Sequence, residues 1–80
     1  MKVKDMKIDP IDQAIGAQLR QRRKQKHIPV DTLRQLIGVS PSVYYDYEKG
    51  FIGLTISKLI TLCDYLGLNY DEVIQNAKAG

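Results

Sequence analysis

Leu33-Arg34-Gln35-Leu36-Ile37-Gly38-Val39-Ser40-Pro41-Ser42-Val43-Tyr44-Tyr45-Asp46-Tyr47-Glu48-Lys49-Gly50 is the stretch that decides the fold. Leu33, Leu36 and Ile37 recur at the three- and four-residue spacing of a helix with one buried side. Gly38 follows as the residue type that ends a helix in the left-handed conformation. Val39 leads into Ser40-Pro41. The serine hydroxyl can accept a hydrogen bond from the free amides of a new helix. The proline, which lacks an N–H, costs nothing at its first position. This second helix runs to Glu48 or Lys49 and stops at Gly50. Two short helices are therefore joined by a tight Gly38-Val39-Ser40 turn.

The same punctuation continues outward in both directions. Asp9-Pro10 opens a helix as cap and first-turn proline, with Asp12 near the positive end of the helix dipole. Ile11, Ala14, Ile15 and Leu19 form its apolar stripe, and Gly16 within it marks close packing against a neighbour. Its basic end, Arg20 to Lys26, points in several directions on the wheel, and Pro29 separates it from the next helix. Downstream, Phe51-Ile52-Gly53-Leu54 is a loop and Thr55 caps a fourth helix. Ile56, Leu59, Ile60, Cys63 and Leu66 are expected to face the core there, with Gly67 as the stop. Asn69 and Glu72 make a capping box for a last helix carrying Val73 and Ile74. The reading is all-α with five helices, residues 9–80 forming one domain behind a flexible basic arm at residues 1–8.

Eighty residues, 44% hydrophobic and 26% charged, suit one small globular domain. No apolar run reaches the ~18 residues of a membrane span, and the first residues lack the apolar stretch of a signal peptide. A cytoplasmic location is expected. With one cysteine (Cys63) and one histidine (His27), a disulfide framework, a metal site and a Cys–His catalytic pair are all poorly supplied. No phosphate-cradling glycine loop is present either, so the chain reads as neither an enzyme nor a cofactor binder. The net charge of +3 is unevenly spread. Residues 1–38 hold nine Lys/Arg against four Asp, whereas residues 39–80 hold three Lys against five Asp/Glu. A basic half points to an anionic partner, nucleic acid being the commonest.

Two short helices around a glycine turn are the helix-turn-helix arrangement, in which the second helix enters a major groove. Ile15-Gly16, Leu19, Arg20, Arg23, the block Leu33 to Ser40, Tyr47-Glu48-Lys49-Gly50 and Leu59, Leu62, Leu66-Gly67-Leu68 together resemble the lambda-repressor-like, or XRE-type, helix-turn-helix family over residues 11–75. The resemblance implies a helix-turn-helix at about residues 30–50 in a sequence-specific DNA-binding transcriptional regulator, a small repressor, with residues 41–49 as the recognition helix. It implies base reading by Pro41, Ser42, Tyr45 and Asp46, and phosphate contacts from Arg20, Arg23, Ser40 and Lys49. It also implies an ion pair between Arg23 and Glu48, and a homodimer on double-stranded DNA. No small-molecule ligand is suggested.

Several positions depart from that family's pattern. Val30 stands where a backbone-contacting glutamine is usual, and Arg34 where a small alanine is usual. Asp46 stands where a Lys, Arg or Gln is usual, and the loop 51–54 is apolar instead of basic. Asp46 can accept from a cytosine amine or simply sit in solvent near the backbone. Phe51 and Ile52 form an apolar patch that fits a subunit interface, unless Phe51 folds back on the core. A second function class therefore stays open: a degenerate helix-turn-helix used for protein interaction, as in an anti-repressor or an antitoxin-like partner.

Overall fold

The computed structural model describes residues 8–79. Apart from Ile8, the arm expected at residues 1–8 lies outside the described residues. Five helices follow in order: α1 Pro10–Gln25, α2 Val30–Leu36, α3 Pro41–Lys49, α4 Ile56–Leu66 and α5 Tyr70–Ala79. No strand occurs among the described residues.

Four of the five helices begin with a side-chain cap at the residue their sequence marks. Asp9 accepts from the Ile11 amide at 2.8 Å, Ser40 from Val43 at 3.2 Å, Thr55 from Lys58 at 3.3 Å and Asn69 from Glu72 at 2.9 Å. Each satisfies an amide that has no partner inside its helix. Helix α2 has Pro29 at its cap position and no such bond. Gly38, in the turn between α2 and α3, takes a φ of +72°, a conformation open to glycine at no steric cost. Helix α1 stops at Gln25, and His27, not a glycine, takes a φ of +57° ahead of Pro29.

Leu19, Leu33, Tyr44, Leu59, Leu62, Cys63, Leu66 and Val73 form the core, with Ile15, Val30, Ile37, Leu54 and Ile74 packed half-buried around it. Burial pushes the Cys63 thiol above its ordinary range, with Asp64 adding to the shift. Helix α1 packs on α3, α4 and α5, while α2 packs on α3 and α4. Four residues expected on inward faces are exposed, Ile11, Leu36 and Ile60 in part and Ile56 for the most part. Periodicity locates the centre of an apolar face but not its width, and a helix 7 to 16 residues long meets its neighbours over only part of its surface.

Where α1 crosses α3, Gly16 is the point of contact. A Cβ there would run into the carbonyl oxygen of Tyr47 and stand 2.5 Å from that of Glu48. These are backbone atoms and cannot rotate away. Gly16→Ala should therefore lower stability by about 1–3 kcal/mol through overpacking, against the ~1 kcal/mol that helix propensity alone would add. Urea denaturation measures the sign, and a stabilised variant would show that α1 and α3 do not meet at Gly16.

Candidate nucleic-acid interface

Helix α3 divides its surface between two environments. Tyr44, Tyr47 and Glu48 are buried, while Pro41, Ser42, Tyr45 and Lys49 face solvent and Ser40 lies exposed at the leading end. Asp46 is only half-exposed, so it stands less far out than its position on the wheel suggests. Val43 is likewise intermediate. The Tyr44 hydroxyl is buried without a hydrogen-bond partner among the described residues. Burial first, and then the nearby Glu48, holds its phenol far above the ordinary range, so it stays protonated.

A two-pronged ion pair fastens the buried face of α3 to α1. Arg23 Nε donates to Glu48 Oε2 at 2.7 Å, and Nη2 donates to Oε1 at 3.1 Å. Glu48 is 2% exposed and Arg23 12%. A further donor of Arg23, Nη1, reaches the carbonyl of Ile28 at 3.4 Å. Three of the five N–H groups of this guanidinium are directed to protein oxygens, leaving little for a phosphate. The Glu48 hydrogen bond, opposed by desolvation, raises the Arg23 pKa, so the cation persists at any working pH.

The other basic residues of α1 diverge. Arg22 Nε and Nη2 donate to the carbonyls of Leu66 and Gly67 at 3.0 and 2.8 Å, closing the C-terminal end of α4. The sequence reading assigned Arg22 no such role. Its signal is its position three residues beyond buried Leu19, on the side of α1 that meets α4. Arg20 and Lys24 instead line an open groove of about 1020 Å³ together with Ala17, Lys49 and Phe51. The Lys49 ammonium lies 5.8 Å from the Phe51 ring centre, within cation–π range. Phe51 thus borders the basic groove, whereas Ile52 is exposed but does not line it. Both side chains are exposed.

Two of the unusual residues have structural explanations. Val30 packs half-buried on the core. Arg34 lies along its own helix, its Nε 2.7 Å from Asp31 Oδ1. Among the described residues, no group of His, Cys, Asp and Glu could hold a metal ion, and no helix is long and apolar enough to cross a membrane.

Five short helices presenting the solvent-facing side of a capped, clamped third helix define a helix-turn-helix domain. The family model of the helix-turn-helix domain matches residues 14–74, and the chain belongs to that family. It is similar to two solved structures of the clp gene regulator ClgR from Corynebacterium glutamicum. One is 26% identical with a TM-score of 0.78, covering 91% of this chain and 78% of that one. The other is 28% identical with a TM-score of 0.74, covering 86% and 90%. No curated protein matches the chain.

Removing one partner of a buried ion pair strands the other. Arg23→Met should cost about 3–5 kcal/mol in urea denaturation. A cost under about 1 kcal/mol, as for an exposed pair, would contradict the clamp.

Proposed function

We propose that this protein is a DNA-binding transcription regulator, a small cytoplasmic repressor that inserts α3 in the major groove and acts as a homodimer. The observation that carries this reading is the asymmetry of α3. One face is fixed to α1 through Gly16 and the Arg23–Glu48 pair, while Pro41, Ser42, Tyr45 and Lys49 stand in solvent. Family membership and the likeness to a gene regulator support it. Tyr45 offers a hydroxyl to a phosphate and a ring edge to a thymine methyl. Ser40, Arg20 and Lys49 are the phosphate contacts; Arg23, occupied by Glu48, is chiefly structural.

A protein-interaction role is favoured by one specific observation: Asp46 sets a carboxylate beside the face that would meet phosphates. Binding-site selection from random duplexes, followed by gel shifts at two salt concentrations, separates the two readings. No preferred sequence and only weak, salt-sensitive association would refute the regulator.

On a selected site, Arg20→Gln and Lys49→Gln should each flatten the log–log salt dependence by about 0.9. Unchanged slopes would remove both residues from the footprint. Asp46→Asn should tighten binding to all duplexes alike through relief of repulsion. A loss of ~1–3 kcal/mol confined to one base pair would instead make Asp46 a reader of cytosine.

A further inference from the structure

The side chains on either side of Gly50 meet in the groove between α1 and the end of α3. Gly50 turns the chain with a φ of +80°, and a Cβ there would stand 2.5 Å from the Gln13 Cα of α1. Two residues beyond Phe51 the loop touches α1 again, since a Cβ on Gly53 would stand 3.0 Å from the Asp12 carboxylate. Between these contacts the Phe51 amide donates to the Asp46 carbonyl at 2.9 Å. The backbone of Phe51 is thus tied to α3 and flanked by contacts with α1. Its ring nonetheless stays out of the core: it is 42% exposed and lines the groove beside Gln13 and Ala17. Core packing does not explain an apolar ring held at the surface by a fixed loop. Its neighbour does, for the Lys49 ammonium lies over the ring, 5.8 Å from its centre.

We propose that Phe51 is a positioning residue for DNA binding: its ring holds the Lys49 ammonium in the groove, uncompensated, where a backbone phosphate can take it up. The proposal rests on the DNA-binding reading. The ring attracts a cation through its quadrupole and brings no negative charge. A carboxylate in the same place would order the lysine but cancel it, as Asp31 offsets Arg34. Lys49 has no acidic partner among the described residues. Its ammonium therefore keeps both its charge and its three donors for an anion.

The benefit is one of order. A lysine on its flexible stem loses rotamer freedom when it meets a phosphate, and that loss weakens binding. A side chain already held over a ring has less freedom left to lose. Phe51 should accordingly raise affinity without changing how many phosphates are neutralised. The ring itself offers a phosphate no donor, so its contribution runs through Lys49.

Proton NMR of the free protein and gel shifts on a selected duplex at several salt concentrations test the proposal. In the free protein the ring current should move the Lys49 ε-methylene protons upfield of those of Lys24, and Phe51→Leu should abolish the difference. On the duplex, Phe51→Leu should weaken binding about two- to fivefold, the size of an exposed cation–π contact, at the salt slope of wild type. In a Lys49→Gln background the same replacement should change nothing. Phe51→Trp, which supplies the ring type that attracts cations best, should bind at least as tightly as wild type. Unshifted Lys49 protons, an unchanged or higher affinity of Phe51→Leu, or an equal loss in both backgrounds would each overturn the proposal. Failure of the DNA-binding reading looks different: wild type itself then selects no duplex, and the proposal falls with it.

Discussion

The approach of α3 to α1 is the constraint on which the rest of the molecule depends. Two contacts define it, seven residues apart on α1: the bare backbone of Gly16 under the last carbonyls of α3, and the guanidinium of Arg23 on Glu48. The first sets how closely the helices approach, and the second resists rotation of α3 about its own axis. A buried ion pair is often no more stabilising than well-packed apolar residues. Its value here is directional, since a bidentate fork tolerates only one orientation of the carboxylate. Tyr45 and Lys49 keep a fixed outward aim because Tyr44, Tyr47 and Glu48 are held inward.

From this crossing the charges of α1 are dealt out to different tasks. Arg23 locks α3, Arg22 closes the end of α4, and Arg20 with Lys24 remains in the groove that Lys49 and Phe51 border. A run that looks on paper like a uniform basic tail is three separate devices. Of the three, only Arg23 has an acidic partner among the described residues. Arg23 and Arg34 are offset by Glu48 and Asp31, so the positive charge available to a polyanion is smaller than the count of lysines and arginines implies.

Much of this was legible in the residues. Asp9, Ser40, Thr55 and Asn69 announced their helices because a short polar side chain ahead of an apolar run solves a local problem, the unpaired amides of the first turn. Gly16 was legible as a close approach, though its partner was not. What stayed hidden depended on non-local geometry. The outward placement of Ile56 and Ile60 reflects how far α1 and α5 extend over α4, which the spacing within α4 does not encode. Arg22 acquired its role from carbonyls 44 and 45 residues away. The left-handed His27 was missed because its position ahead of Ile28-Pro29 gives no glycine signal.

The packing of α1 against α5 bears on how the protein comes into being on the ribosome. Gln18 reaches the Val73 carbonyl at 2.9 Å and Asn76 at 3.1 Å, across 55 and 58 residues of chain. Synthesis proceeds from the amino end at about 5–20 residues per second, so α1 emerges seconds before the helix that completes its surroundings. During that interval its apolar side can rest only on α3 and α4, and the side that α5 covers stays wet. The nascent chain can form the helix-turn-helix early, but it cannot lock until residues 70–79 have left the exit tunnel. Locking of the helices thus waits on α5, and a nascent chain in which α5 has not yet formed leaves one side of α1 uncovered.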